Sequence, residues 1–324
     1  MRLAVLGTGH LGREHARLYA TLPGVTLAGI YDTDPGAAEA AARRAGGCRV
    51  FASRDALLGA AEAVSVCVPT PAHHEVALAC LEAGRHVLVE KPIAASPAEA
   101  RALAEAAARR GLVLQVGHVE RFNPAMLAAA EHLHEPRFVE SHRLARFGRR
   151  GAEVPVVLDL MIHDLDLVLA VVRQPVHSID AAGVAVLSGS TDIANARLRF
   201  RNGCVANITA SRISVERLRK IRFFQSDSYL SLDLLQESVS MYRQRPGFKP
   251  EVFQEALSRG ENPDLMEAIE PVPIAVRHEE PLRLELESFV TAVRAGSQPL
   301  VGAEDGIRAL EVACEIERLL GAEP

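Results

Sequence analysis

The sequence predicts an α/β fold in which a doubly wound parallel sheet occupies the first 120 residues and an antiparallel sheet follows. Three observations support this prediction. Short apolar runs alternate with amphipathic segments up to Gly117, a glycine-rich turn follows the first run, and alternating strand patterns then replace the β-α repeat. The predicted domains are residues 1–120 and 121–324, and packing of the last helix back onto the first domain stays open.

The first domain contains six strand candidates and four helix candidates. The strands are expected at 2–6, 25–31, 48–51, 63–68, 86–90 and 112–116. The helices are expected at 10–22, 35–45, 73–83 and 96–110. Two helix starts are marked by an N-cap followed by proline, at Asp34-Pro35 and at Ser96-Pro97. Continuous apolar strands are typical of a parallel sheet covered on both faces.

The second domain begins with helices and continues with strands. Helices are expected from Asn123-Pro124 to about residue 134 and over 155–173. Strand candidates follow at 193–200, 204–213, 220–225, 228–234 and 238–243. Asn202-Gly203 is typical of a hairpin turn. The charged, Pro-rich stretch 244–282 is expected to form an excursion, and helices near 283–295 and 303–320 end the chain.

The composition excludes several classes of protein. The chain has 324 residues, 48% of them hydrophobic, and a net charge of -5, so it lacks the basic excess of a nucleic-acid binder. Five scattered cysteines without a C-x-x-C pair indicate buried thiols in a reduced compartment. No apolar run approaches the roughly 18 residues of a membrane helix, and the apolar start is too short for a signal peptide. We expect a cytoplasmic protein without nucleic-acid or membrane partners.

A dinucleotide-binding fingerprint occupies the turn after the first strand. The segment Gly7-Thr8-Gly9-His10-Leu11-Gly12 matches G-x-G-x-x-G between a strand and a helix. Its glycines allow a tight turn, close approach of the backbone to a pyrophosphate and close helix packing, and the helix N-terminus favours the anion. The alternative is a glycine turn that binds no nucleotide.

Asp32 at the end of the second strand favours NAD over NADP. It stands twenty residues beyond Gly12, where a carboxylate can bond the ribose hydroxyls and would repel a 2′-phosphate. No Arg or Lys follows it immediately. NAD is therefore the predicted cofactor, and NADP is the less favoured one.

A polar face interrupts the apolar helix expected over 155–173. At 100° per residue, Asp159, His163 and Asp166 lie within about 60° of one another. A histidine oriented by a carboxylate can accept the hydroxyl proton of an alcohol that loses hydride. A structural Asp–His pair is the alternative. No H-x-x-x-H pattern or nearby cysteine supports a zinc site, so no metal is expected.

Lys91 is unusual in a chain with three lysines and thirty-three arginines. It follows the strand candidate 86–90, so it is expected at the carboxyl end of the parallel sheet, where such folds bind ligands. A lysine can shift its pKa and share a proton with a reacting hydroxyl, which an arginine cannot. We expect Lys91 to position the hydroxyl and His163 to act as the base. The sequence does not show whether the side chains of Lys91 and His163 lie close together.

Taken together, these motifs resemble the Gfo/Idh/MocA oxidoreductase family over essentially the whole chain. The resemblance rests, in chain order, on the glycine turn, Thr70-Pro71-Ala72-His73-His74, Glu90-Lys91-Pro92 and the Asp159-x-x-x-His163 helix. It implies an N-terminal Rossmann domain and a C-terminal α/β domain with a large, mainly antiparallel sheet. It also implies that the open sheet face packs against another subunit in a homodimer or homotetramer.

The resemblance also implies roles for individual residues. The catalytic group would be Lys91, Asp159 and His163, with a Lys91–Pro92 bond that is often cis in the family. The residues bordering the nicotinamide and its ribose would be Thr70, Pro71, His74 and Glu90. From the residues alone, Thr70-Pro71 fits a plain turn equally well, and His74 fits a histidine at a helix start.

Two further segments resemble the branch of the family that oxidises UDP-N-acetylglucosamine at carbon 3 to a 3-keto sugar. They are GHVERFNP at 117–124 and VLDLMIHD at 157–164. The implied substrate contacts are Arg121, Asn123, Arg143, Arg146 and His163. The alternatives are oxidation of a free sugar or a cyclitol such as inositol, transient ketone formation without net redox change, and a non-catalytic dinucleotide-binding regulator.

A basic segment precedes the polar helix. Its four arginines, which fit bidentate contacts to a substrate diphosphate, are Arg143, Arg146, Arg149 and Arg150. A solvated basic loop or a subunit contact explains them equally well.

Overall fold

The computed structural model describes residues 1–148 and 154–321, which fall into two compact units. The first unit comprises Met1–Phe122 and Glu279–Glu315, and the second comprises Asn123–His278 and the chain from Ile316 onward. The boundary predicted at residue 120 would place the segment Glu279–Glu315 in the second domain. In the structure this segment groups with the first unit. Arg149 and Arg150 lie outside the described residues.

A five-stranded parallel sheet forms the centre of the first unit, as predicted. In chain order, its strands are β1 (Arg2–Leu6), β2 (Thr26–Tyr31), β3 (Ala63–Val66), β4 (His86–Glu90) and β5 (Leu114–Gly117). Their spatial order across the sheet is β2-β1-β3-β4-β5. The helices between them are α1 (His10–Tyr19), α2 (Pro35–Arg44), α3 (Arg54–Ala60), α4 (His73–Glu82) and α5 (Pro97–Arg110). This is a doubly wound Rossmann arrangement, because the chain proceeds outward in both directions from β1.

The expected strand at 48–51 is wrong. That segment makes only an isolated bridge between Ile30 and Val50, through two hydrogen bonds that join Ile30 to Arg49 and Phe51. Directly afterwards, the Ser53 hydroxyl accepts a hydrogen bond from the N–H of Ala56 and starts α3, a helix that the sequence analysis missed. The segment is therefore too short to extend the sheet.

An eight-stranded sheet forms the second unit, and all its neighbouring strands are antiparallel except β6 and β9. In chain order, its strands are β6 (Phe138–Leu144), β7 (Val176–Val184), β8 (Ile193–Phe200), β9 (Val205–Ser211), β10 (Leu218–Phe224), β11 (Ser228–Asp233), β12 (Ser238–Gln244) and β13 (Ile269–Val272). Their spatial order across the sheet is β13-β12-β11-β10-β6-β9-β8-β7. The predicted large, mainly antiparallel sheet is thus confirmed, although β6, β7 and β13 were not expected.

Short helices complete the second unit. They are α6 (Pro124–Ala129), a π-helical turn (Val157–Met161) leading into α7 (Ile162–Val172), α8 (Pro250–Ser258) and α9 (Leu265–Ala268). α6 packs on β11 and β12, and α7 packs on β6 and β9. The excursion expected over 244–282 contains α8, α9 and β13.

Of the last two helices, the first lies wholly in the first unit and the second begins there. They are α10 (Pro281–Ala295) and α11 (Ala303–Gly321). Leu286, Phe289 and Val290 of α10 are buried in one apolar cluster with Leu3 and Val5 of β1. Burial of such large side chains contributes about 1.5–3 kcal/mol each, which accounts for the association of this helix with the parallel sheet.

Side chains alternate between the two faces of the eight-stranded sheet. In β6, Val139, Ser141 and Arg143 are buried, while their neighbours along the strand are partly exposed. On the partly exposed face, a row of aromatic rings crosses four adjacent strands through Phe138, Phe224, Tyr229 and Tyr242. This is the face that the resemblance assigns to subunit packing. The homodimer or homotetramer stays a prediction that light scattering of the purified protein would test.

Candidate active site

The glycine turn after β1 fits a bound pyrophosphate. Gly7 has a φ of 84°, and a Cβ there would lie 2.7 Å from the carbonyl carbon of Cys67. A Cβ at Gly12 would overlap the carbonyl oxygen of Gly7, whereas one at Gly9 would meet no atom within 4 Å. No side chain caps the start of α1 at Gly9. The N–H groups of its first turn are therefore available to an anion that approaches over Gly9.

Asp32 is held at the end of β2 by the same turn. Its carboxylate accepts hydrogen bonds from the N–H of Thr8 at 2.5 Å, the hydroxyl of Thr8 at 2.8 Å and the N–H of Asp34 at 2.9 Å. Burial acts to raise the pKa of Asp32, but these hydrogen bonds outweigh it and lower the pKa. A fixed, ionised carboxylate thus lies where a dinucleotide places its adenosine ribose.

Glu90 and Lys91 lie at the carboxyl end of β4. The Lys91–Pro92 peptide bond is cis, and the Lys91 side chain is half-buried. One carboxylate oxygen of the buried Glu90 lies 2.9 Å from Nε2 of the buried His15, and the other accepts the N–H of Lys91 at 3.3 Å. His15 and Glu90, with Cys67, are close enough to hold a metal ion, but the first two already bond each other.

His73, the neighbour of the expected cofactor contact His74, is buried at this end of the sheet. Its Nδ1 lies 2.7 Å from the carbonyl oxygen of Pro92, and its Nε2 lies 2.8 Å from that of Val68. His74 is half-buried, and Thr70 and Pro71 lie in a 3-10 turn. The signal that the sequence analysis missed is the spacing of His73, Ala77 and Leu81, which puts the histidine on the buried face of α4.

His118 is a second site residue that the sequence analysis did not single out. It follows β5, is 1% exposed, and neither ring nitrogen has a hydrogen-bond partner in the described chain. Burial lowers its pKa to about 3, and the charges of Lys91 and Arg121 act in the same direction. His118 is therefore neutral at physiological pH. The Arg121 guanidinium donates to the carbonyl oxygen of Leu300 at 3.3 Å, within the same unit.

The polar helix of the second unit departs from the expected geometry. The π-helical turn at Val157–Met161 changes the angular spacing, so a uniform 100° per residue does not apply across it. Asp159 and His163 are half-buried, whereas Asp166 is 2% exposed. Asp166 follows His163 by three residues within regular α-helix, so these two keep neighbouring positions on the helix, and the altered spacing concerns Asp159. π turns are frequent at functional sites.

Asp164, on the same helix, forms a buried ion pair with Arg143 of β6. The Arg143 Nε donates to its carboxylate at 2.6 Å, and the Ser141 hydroxyl donates to it at 3.0 Å. Arg143 is 3% exposed and Asp164 is 1% exposed. Arg143 thus attaches α7 to the sheet, and its expected contact with a substrate diphosphate stays a prediction.

Two other expected substrate contacts have different surroundings. The Asn123 side chain accepts the N–H of Ala125 at the start of α6 and donates to the carbonyl oxygen of Leu234. Asn123 is thus the N-cap of that helix, and its hydrogen bond to Leu234 connects the helix to the β11–β12 turn. Arg146 is exposed after β6, and its Nε donates to the carbonyl oxygen of Val215 at 2.9 Å.

The fold and the glycine turn together define a dinucleotide-binding Rossmann protein. A family model described as an oxidoreductase family with an NAD-binding Rossmann fold matches residues 1–118, and a GFO/IDH/MocA C-terminal domain model matches 129–229. The chain belongs to the Gfo/Idh/MocA oxidoreductase family. It is an oxidoreductase that acts on CH–OH groups with a nicotinamide dinucleotide.

Several proteins are similar over nearly their whole length. The UDP-N-acetylglucosamine 3-dehydrogenase of Acidithiobacillus ferrooxidans is 38% identical over 98% of this chain and 96% of its own. A solved structure of that enzyme superposes with a TM-score of 0.87 at 35% identity, covering 99% of this chain and 97% of its own. The myo-inositol 2-dehydrogenase of Thermotoga maritima is 25% identical over 96% of this chain and 93% of its own. Within the described residues, no helix has the length and apolar character needed to cross a membrane.

Proposed function

We propose that this enzyme uses NAD to oxidise a ring hydroxyl of a sugar nucleotide, and that the reaction converts UDP-N-acetylglucosamine to its 3-keto sugar. One observation carries the proposal. Similarity to a UDP-N-acetylglucosamine 3-dehydrogenase extends over 98% of the chain at 38% identity, against 25% for the myo-inositol enzyme. The Rossmann unit fits the dinucleotide through the open approach over Gly9 and the carboxylate of Asp32.

The proposed chemistry assigns separate tasks to three side chains. When bound, the nicotinamide would accept hydride from the carbon that carries the hydroxyl. His163 receives the hydroxyl proton, because a neutral imidazole is a base suited to neutral pH. Lys91 donates a hydrogen bond that holds the hydroxyl oxygen and stabilises its developing charge. Asp159, which precedes His163 on the same helix, orients the imidazole.

The first test identifies the substrate and the oxidised carbon. The purified enzyme is incubated with NAD and UDP-N-acetylglucosamine deuterated at carbon 3, with a keto-acid acceptor in a parallel reaction to reveal tightly retained cofactor. We expect deuterium to appear in the reduced cofactor and a 3-keto sugar to form. UDP-glucose, free N-acetylglucosamine and myo-inositol serve as competing substrates. Turnover of inositol without turnover of any UDP-sugar would contradict the proposal and favour a cyclitol dehydrogenase.

His163→Asn should lower kcat by about 10²–10⁴-fold, because it removes the base while leaving a side chain of similar polarity. The matched control is His177→Asn, which changes an exposed histidine on β7 of the same unit. We expect the control to turn over like the unmodified enzyme. Equal kcat values in the two variants would remove His163 from the mechanism.

Asp32→Ala should shift cofactor preference toward NADP. The substitution removes a carboxylate that accepts from the ribose hydroxyls, so KM for NAD should rise about 10- to 100-fold, the size of a lost charged hydrogen bond. The repulsion of a 2′-phosphate disappears with the same change. Asp34→Asn is the control, because Asp34 caps α2 two residues further on. An unmodified enzyme that used both cofactors equally would contradict the NAD assignment.

A further inference from the structure

The residues before and after Lys91 are each held by a buried histidine. We propose that His15 and His73 are positioning residues, which fix the Lys91 backbone through Glu90 on one side and Pro92 on the other. The inference rests on the proposed function, since it takes Lys91 as the group that holds the reacting hydroxyl. Both histidines are buried, at 0% and 1% exposure, and act through their neighbours.

On the first side, Glu90 bridges α1 to the lysine. Its Oε1 lies 2.9 Å from Nε2 of His15, and its Oε2 accepts the backbone N–H of Lys91 at 3.3 Å. The other ring nitrogen of His15 has no partner in the described chain, so Nε2 carries the proton that Glu90 accepts. Gly117 leaves room for the carboxylate, because a Cβ there would lie 2.9 Å from Oε2. The carboxylate of Glu90 is thus confined to one orientation.

On the second side, His73 lies between the loops that follow β3 and β4. Its Nδ1 is 2.7 Å from the carbonyl oxygen of Pro92, and its Nε2 is 2.8 Å from that of Val68. Burial, the largest influence, lowers the pKa of His73, although the two carbonyls act in the opposite direction. A neutral ring has one N–H and donates to one carbonyl at a time. The contact through Nδ1 is the one that restrains Pro92.

The functional consequence follows from the precision that hydride transfer requires. A displacement of about 1 Å at a reacting group can cost about 10²-fold in rate. Lys91 extends from a turn, and the two histidines restrain the residue on either side of it. Loss of either restraint should therefore reduce turnover while the dinucleotide still binds over the glycine turn.

Amide side chains can separate the two contacts of His73. His73→Asn places an N–H near the position of Nδ1 and keeps the bond to Pro92, whereas His73→Gln places one near Nε2 and keeps the bond to Val68. His15→Gln keeps a donor to Glu90, and His15→Phe removes it. The control is His86→Gln, at the opposite end of β4, where Nδ1 of His86 accepts the N–H of Val113.

We expect His73→Gln and His15→Phe to lower kcat at least about 10-fold, with the Kd for the dinucleotide from calorimetry changed less than about 2-fold. His73→Asn, His15→Gln and the control should retain most of kcat. Equal kcat values for His73→Asn and His73→Gln would overturn the role of His73. Full turnover by His15→Phe, or an equal loss in the His86 control, would overturn the role of His15.

A second readout does not depend on turnover. The chain has only three lysines, so reductive methylation with ¹³C-formaldehyde gives three lysine NMR signals, from Lys91, Lys220 and Lys249, beside that of the N-terminal amine. In His73→Gln and His15→Phe, the shift and titration of the Lys91 signal should change, while the other two signals stay in place. An unchanged Lys91 signal overturns the inference. Full activity of Lys91→Met would overturn the proposed function instead, and the NMR comparison would still decide whether the histidines position this residue.

Discussion

Lys91→Arg should lower kcat by about 10²–10⁴-fold, although the substitution keeps the positive charge. An ammonium group is compact and can share a proton with a hydroxyl, whereas a guanidinium is planar, larger and always protonated. KM for NAD should stay within about 2-fold, because the glycine turn and Asp32 carry the dinucleotide contacts in the proposed complex. Steady-state kinetics with UDP-N-acetylglucosamine, with Kd from calorimetry, measures both quantities.

The surroundings of Lys91 support this expectation. The side chain is half-buried at the carboxyl end of β4, and the buried carboxylate of Glu90 accepts its backbone N–H. A guanidinium places its charge on a planar fork instead of a single nitrogen, so it cannot reproduce the compact contact of an ammonium group with one hydroxyl. Lys249→Arg provides the control, because Lys249 is an exposed residue immediately before α8. Retained turnover in Lys91→Arg would show that this site needs only a positive charge, and would contradict the assigned role.

The parallel sheet could be predicted from the sequence because local rules agree there. Its strands are short apolar runs, and prolines or caps mark the helix starts at Asp34 and Ser96, both of which accept the expected hydrogen bonds. The strand expected at 48–51 failed because two consecutive glycines, Gly46 and Gly47, have positive φ and lead into a short irregular segment. Its Phe51 is buried but its Val50 is 37% exposed, so the segment lacks the fully covered side chains of a central strand.

β6 and β7 could not be predicted, for different physical reasons. The buried positions of β6 include Ser141 and Arg143, so burial and polarity do not alternate together. The residues of β7 are mostly exposed, and this strand lies at the edge of its sheet. In both cases pairing decides the structure: β6 pairs with the distant β9 and β10, and β7 pairs with the following strand β8.

The candidate site shows the same limit. Asp159 and His163 could be identified as polar residues of an apolar helix, but the π-helical turn that contains Asp159 could not. Asp164 looked like one more polar residue, because its partner Arg143 belongs to a strand that the pattern did not reveal. His73 and His118 lacked a motif of their own. Their significance depends on carbonyl groups and charges that only the folded chain brings near them.

Asp164→Ala should destabilise the protein by about 3–5 kcal/mol, because it leaves the Arg143 guanidinium buried without its carboxylate. The Ser141 hydroxyl loses the same acceptor. Chemical denaturation followed by circular dichroism measures the free energy of unfolding of each variant. Asp180→Ala, which changes an exposed residue of β7, should stay within about 0.5 kcal/mol of the unmodified protein.

A double substitution distinguishes a structural ion pair from a substrate contact. Arg143→Met combined with Asp164→Leu removes both charges, so its stability should recover most of what Asp164→Ala loses. If Arg143 only attaches α7 to the sheet, the folded double variant should show no selective rise in KM for UDP-N-acetylglucosamine over free N-acetylglucosamine. A selective rise of about 10-fold or more would restore Arg143 as a diphosphate ligand, since a lost charged hydrogen bond is worth about that much. The stability and kinetic measurements together therefore decide which of its two possible anionic partners Arg143 serves.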